Sequence, residues 1–253
     1  MKNFAEKRPF WFALGTTIVI TLLGLVSFIV GQILGLPEIL LAFAPLVISA
    51  AIALGLIWGF GWWRDAGFVP TTSHAYVLGM VILVDLVLPM VIFGTVENEP
   101  RIAIFFLLAF FLTGLGEEAL SRGLFVRLFL TRGKWQAVLI PSLLFGLSHI
   151  THFLSGEYTP IQSVVQIANA FIGGLLYGAV RLRTNNIWPL IVIHTFHDVL
   201  FGLAGFAGPN ATRGLDDIPM IFFVIGWTLS LATFAYVMTR TKVTATVDGQ
   251  AIE

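Results

Sequence analysis

Apolar residues along this chain come in about eight long blocks, running approximately 10–35, 39–61, 74–95, 102–130, 135–154, 161–182, 187–205 and 218–239. Each lies near the ~20 residues that a helix needs to cross the hydrocarbon core of a bilayer. Polar or Gly/Pro punctuation separates them, at Leu36-Pro37-Glu38, Arg64-Asp65, Glu97 to Pro100, Thr131 to Lys134, Gly156 to Pro160, Arg183 to Asn186 and Gly208 to Asp217. Unpaired backbone groups are costly in lipid, so spans of this composition fold as helices. The pattern predicts an all-α, polytopic membrane bundle of about eight transmembrane helices, forming one membrane domain over residues 1–253.

The distribution of basic residues gives the predicted bundle an orientation. With the N-terminus inside, the inner segments hold eleven Lys and Arg residues, against Arg101 and Arg213 outside. That bias predicts a multi-pass integral membrane protein with both termini cytoplasmic. Trp11, Trp62, Trp63, Trp135 and Trp188 fall near predicted span ends, where amphipathic rings sit at the membrane interface. The block that begins at Phe10 is too long for a signal-peptide core and reads as a retained first span. The polar stretch 243–253 reads as a disordered tail.

Composition narrows the function classes. Of 253 residues, 57% are hydrophobic and 11% charged, and mean hydropathy is +0.92. A soluble domain averages roughly 25% charged residues. A net charge of zero argues against a nucleic-acid partner. The absence of cysteine removes disulfides, thiolate metal sites and a cysteine nucleophile.

Against this background the ionisable residues inside the apolar blocks stand out. Glu117, Glu118 and Arg122 lie in the fourth block, His149 in the fifth, and His194 and Asp198 in the seventh. A charge at bilayer depth costs at least ~2.5–3.5 kcal/mol on insertion scales and marks a functional interior by default. Glu118 and Arg122 are i,i+4 neighbours suited to an ion pair, whereas Glu117 points about 100° away. Phe145 and His149 share a face, as do His194 and Asp198. At 1.5 Å per residue, Glu117 lies roughly 22 Å from Arg132, His149 roughly 22 Å from Lys134, and His194 roughly 16 Å from Arg183. Three helices thus bring ionisable groups to comparable depth. A carboxylate beside an imidazole is a general-base pair for water, and a second polar pair opposite can steady an oxyanion.

These residues carry a family resemblance. Glu117-Glu118-x-x-x-Arg122, Phe145-x-x-x-His149 and His194-x-x-x-Asp198, in this order, resemble the CPBP family of CAAX prenyl endopeptidases and bacteriocin-processing or immunity (Abi) proteins. The stretch from Phe171 to Gly178, leading through Ile187-Trp188-Pro189, resembles the family's third region. The likeness covers about residues 105–203, with 1–100 and 206–242 as scaffold helices. It implies a glutamate-dependent intramembrane protease without a cofactor. Glu117 and His149 would activate water, His194 and the residue four later would support the oxyanion, and Glu118, Arg122 and Phe145 would shape the site. The best-understood members of the family carry Asn where this chain has Asp198. Ionised Asp accepts but does not donate, so orienting His194 and binding the oxyanion stay open as its roles.

The implied partners are the bilayer and a membrane-protein or lipid-modified peptide substrate. A zinc-dependent membrane protease is the chemical alternative, since Glu, His and Asp are plausible ligands, although no His-Glu-x-x-His helix is present. A non-catalytic scaffold or immunity protein of the same fold, and a transporter, are the alternatives from other classes. Gln162, Gln166 and Asn169 form a polar stripe on the sixth block, read as inter-helix glue or a substrate wall. Asp85 reads as a scaffold partner, His74 as solvated, and His152 and His197 as peripheral.

Overall fold

The computed structural model describes residues 1–69, 75–83, 94, 100–154, 158–206, 213–240 and 242–251. Helix follows helix. A short α1 (Lys2–Lys7) leads into α2 (Pro9–Ile33), whose first position is a proline with its dihedral already helical. α3 (Glu38–Phe60) stops at Gly61, which takes the left-handed cap conformation at φ +73°. α4 (Ala75–Ile82) is followed by α5, a continuous helical rod over Pro100–Leu130 that includes a π-helical stretch, Ala119–Phe125. Then come α6 (Lys134–Ser148), α7 (Thr151–Leu154), α8 (Pro160–Thr184), α9 (Trp188–Leu203), a 3₁₀ turn at Leu215–Asp217, and α10 (Met220–Arg240).

The all-α membrane bundle expected from the hydropathy blocks is what the chain forms. Among the described residues, six helices are long and apolar enough to span a membrane: Pro9–Ile33, Leu40–Phe60, Pro100–Leu130, Lys134–Leu154, Pro160–Thr184 and Met220–Arg240. The count of eight is not reproduced in full. The seventh block forms α9, only 16 residues long, or roughly 24 Å at the helical rise. The third block is described only as far as residue 83, and His74 and Asp85 lie outside the described residues. Large apolar side chains on α2, α3 and α10 point outward, as surfaces that contact lipid must.

Small residues set the helix crossings. On α8, Gly174 leaves room for Ser142 and Gly178 for Val138, and Gly146 of α6 faces the Ile167 carbonyl and Phe171 in return. On α5, Gly116 meets the backbone of Ala50 on α3, and Gly114 meets the Ile191 carbonyl and Thr195 on α9. With no hydrophobic drive between helices in lipid, such close backbone approach is how spans associate. α8 begins in a capping box. The Gln162 amide donates to the Thr159 hydroxyl at 3.3 Å, and the Thr159 amide donates to the Gln162 side chain at 2.8 Å.

Residues 243–251, expected to be a disordered tail, instead form a two-strand antiparallel hairpin, Thr246–Val247 with Gln250–Ala251. The correction has a clear cause in the buried Asp65. Its carboxylate accepts hydrogen bonds from the Thr246 hydroxyl at 2.8 Å and from the Asp248 and Gly249 amides at 2.7 and 3.1 Å. Arg127 pairs with Asp65 at 3.5 Å and Asp248 at 3.0 Å, and lies over the Trp62 ring. Lys2 donates to the Phe60 carbonyl at 3.1 Å. The N-terminus, the segment after α3 and the C-terminal hairpin therefore gather at one end of the bundle.

Candidate active site

The site is built where α5 and α9 cross. Gly114 sits one turn before the glutamates and lets the α9 backbone approach, with Thr195 and the Ile191 carbonyl close to where a Cβ would stand. That approach brings His194 onto the glutamate pair. Glu118 accepts from His194 Nδ1 at 2.8 Å, and Glu117 lies 3.6 Å from Nε2 of the same ring. Consecutive helical residues diverge by about 100°, so the two carboxylates reach opposite nitrogens of one imidazole. The π-helical stretch begins directly after Glu118, a form that recurs at functional sites.

The two carboxylates have different surroundings. Glu118 is fully enclosed, whereas the Glu117 side chain is 34% exposed. Glu118 also pairs with Arg122 at 3.3 Å, as its i,i+4 position predicts. A buried charge needs such compensation. Arg122 is held on its other faces by aromatic rings, Phe145 at 4.3 Å and Tyr177 at 5.6 Å. Phe145 and Tyr177 also stand edge-on to His194, at 6.4 and 6.3 Å.

Asp198 lies 3.5 Å from His194 Nε2 across one turn of α9, and its other oxygen receives His197 Nδ1 at 3.1 Å. His194 thus has carboxylates on both nitrogens. Carboxylate oxygens cannot bond one another, so the cluster coheres through protons on the ring nitrogens or on one of the acids.

His149 caps α6, and its Nδ1 lies 2.8 Å from the Phe145 carbonyl. A carbonyl only accepts, which places a proton on Nδ1, and in the neutral ring Nε2 then keeps a lone pair. His149 makes no direct hydrogen bond or ion pair with Glu117. Its ring packs against Phe145 at 4.9 Å, and Glu117, His152 and His194 are the charged or titratable groups acting on it. The structure therefore links Glu117, Glu118, Arg122, Phe145, His149, His194 and Asp198 in one network of contacts, with His194 rather than His149 as the direct neighbour of Glu117. His152 stacks on Tyr158 at 4.9 Å.

With this geometry in place, the comparisons with known proteins are informative. Residues 99–200 match the family described as Type II CAAX prenyl endopeptidase Rce1-like. The match agrees with the resemblance of this segment to the CAAX prenyl endopeptidases. An Escherichia coli protein described as an uncharacterized 24.3 kDa protein is 30% identical over 112 residues, which cover 42% of this chain. The match spans about half that relative's length, 48%. No solved structure matches the chain. The family match begins just before α5 and ends within α9, so it encloses every residue of the cluster. It supports a protease at the level of the family.

Two parts of the site escape a reading of spacing alone. The bond from Glu118 to His194 depends on how α5 and α9 cross, and Gly114 is the one sequence signal for that approach. The clasp of Arg122 between Phe145 and Tyr177 draws on three helices. The polar stripe on α8 holds neighbours in place: Asn169 accepts from the Trp227 indole at 3.1 Å, and Gln162 donates to Asp216 at 2.9 Å. Among the described residues, no group of three or more His, Asp or Glu side chains has the arrangement of a metal site.

Proposed function

We propose that this protein is an intramembrane endopeptidase in which Glu117 activates water against a peptide bond. The observation that carries the reading is the pairing of an accessible glutamate, Glu117, with an imidazole whose far nitrogen is held by a buried one, Glu118. Glu117 takes a proton from water, assisted by the lone pair on His149 Nε2, and the oxygen bonds to the scissile carbonyl carbon. The carbonyl electron pair moves onto oxygen, where the His194 N–H steadies it. Glu117 returns its proton to the nitrogen as the C–N bond breaks. Glu118 and Arg122 fix the position of His194, and Asp198 holds the ring from its other side.

The substrate class is a membrane-embedded or lipid-modified peptide, in keeping with the family's description and the lipid-facing apolar surfaces around the site. The termini share one end of the bundle, and the excess of Lys and Arg in the inner segments supports the cytoplasm as that side. The mechanism needs no metal.

Purified protein in liposomes, incubated with prenylated and unmodified membrane peptides, tests this reading. Wild-type protein is expected to cleave, Glu117→Gln to lose ~10²–10⁴-fold in rate as befits a general base, and chelation to leave the rate unchanged. Loss of cleavage on chelation would overturn the metal-free chemistry. Full activity in Glu117→Gln would overturn the role of that residue.

A further inference from the structure

We infer that Gln166 on α8 pairs with the main chain of an extended substrate segment beside the reacting centre. The inference deepens the proposed hydrolysis and rests on it. Gln162, Gln166 and Asn169 line one stripe of α8, and two of these amides are spent within the protein. Gln162 closes the capping box and donates to Asp216 at 2.9 Å, and Asn169 accepts from the Trp227 indole at 3.1 Å. The half-buried Gln166 side chain has no hydrogen-bond partner among the described residues. Gln166 therefore joins no pair of helices.

Helical geometry gives its direction. At about 100° per residue, Gln166 shares a face with Gly173 and Tyr177 and lies across the helix from Ile161 and Val164, which are 74% and 67% exposed. Ile161 and Val164 take the lipid side, so Gln166 takes the interior one. Tyr177 on that face stands 5.6 Å from Arg122 and 6.3 Å from His194. Gly173 between them has nothing within 4 Å of a Cβ position, so the face is open by more than a methyl group would fill. The level of Gln166 follows from the antiparallel packing of α6 on α8, with Val138 against Gly178, Ser142 against Gly174 and Gly146 against Ile167 and Phe171. Continued by one turn, that register sets His149 level with Gln166 and Ile167. An open interior face thus carries an unspent amide at the level of the residue that assists water activation. Cleavage of a membrane-embedded helix requires local unwinding, and the unwound N–H and C=O groups need new partners where water is scarce. A carboxamide offers a donor and an acceptor side by side, the complement of one peptide unit. A lysine would supply donors only, and an ionised acid acceptors only. The chemistry at position 166 is therefore that of main-chain recognition, whatever the substrate's side chains.

The test measures binding of a fluorescently labelled prenylated peptide to full-length Glu117→Gln protein in liposomes, where turnover is slow. Gln166→Met in that background keeps the length of the side chain and removes both polar groups. It should weaken binding roughly tenfold, as for a lost hydrogen bond that leaves a main-chain group unpaired. The melting temperature should hold, because no contact within the protein is lost. A set of the same peptide, each with one backbone amide N-methylated, then locates the pairing. One methylated position should weaken binding to Glu117→Gln protein and make no difference once Gln166→Met is added. Equal affinity with and without Gln166→Met, or the same N-methyl profile in both proteins, would overturn the subsite. A lower melting temperature in Gln166→Met would assign the amide to the fold and overturn it as well. Cleavage of the parent peptide by wild-type protein is read in parallel. Cleavage without any dependence of binding on Gln166 rejects the subsite and leaves the protease reading standing. Binding that depends on Gln166 without cleavage rejects the protease reading alone.

Discussion

Among the described residues, two clusters of buried charge are finished to different degrees. At the end of the bundle where the termini meet, Asp65 is saturated by a hydroxyl, two amides and Arg127. Arg181 beside it donates to the Ala66 carbonyl at 3.3 Å, the Asp65 carbonyl at 2.5 Å and Asn185 at 2.7 Å. The cluster around His194 is matched less completely. Three carboxylates share two imidazoles and one guanidinium, and Glu118 Oε2 and Arg122 Nη1 have no hydrogen-bond partner. An acid whose oxygens are all matched, as in Asp65, ties segments together, whereas acids left short of donors can take up protons. Burial alone does not distinguish structure from chemistry; the balance of donors and acceptors does.

Removing one acid from each cluster puts this difference to the hardest test. Glu118→Ala leaves Arg122 buried and His194 Nδ1 without its acceptor, so stability should fall by ~3–5 kcal/mol and cleavage should cease. Asp65→Ala should cost a similar ~3–5 kcal/mol, because it leaves the buried Arg127 only the exposed Asp248 as an acid partner and releases the hairpin. Turnover per folded molecule should be unchanged in that variant. Unfolding in detergent together with cleavage assays reads both quantities. If Asp65→Ala abolishes turnover in the folded fraction, the two clusters act as one and the contrast fails.

The sequence made the two clusters legible to unequal extents. Long apolar blocks announce spans because backbone hydrogen bonding in lipid leaves little choice, and the i,i+4 pair Glu118–Arg122 follows from helical geometry. The depth of His149 and His194 could likewise be counted from the loops. The pairing of His194 with both glutamates could not, since it depends on a helix crossing that spacing does not encode. The hairpin was hidden for a similar reason. Its partner, Asp65, lies 181 residues before Thr246, and a short polar tail reads as disordered until such a distant anchor is seen.

A smaller perturbation sharpens the comparison by acting on geometry without removing any charge. A side chain at Gly114 would press on the Ile191 carbonyl and Thr195, both 3.1 Å from the position of a Cβ. Gly114→Val should cost ~1–3 kcal/mol as an overpacked contact. It should also reduce cleavage by more than the loss of folded protein explains, because it moves His194 away from Glu118. Gly173 on α8 has nothing within 4 Å of a Cβ position, so Gly173→Ala serves as the uncrowded control. Equal loss of activity in both would show that the α5–α9 approach does not set the site.

The mildest change acts on the element that the clusters share. α8 carries Tyr177, which faces Arg122 and His194, and Arg181, which closes the Asp65 cluster. Its capping box at Thr159 lies at the opposite end of the helix from Arg181 and touches neither cluster. Thr159→Ala removes one cap acceptor and should lower stability by ~1 kcal/mol. Because the first turn frays without shifting Tyr177 or Arg181, turnover per folded molecule should hold. A drop in turnover with only that small loss of stability would mean that the first turn of α8 governs the placement of Tyr177. The site would then depend on the whole of α8 rather than on the α5–α9 crossing alone.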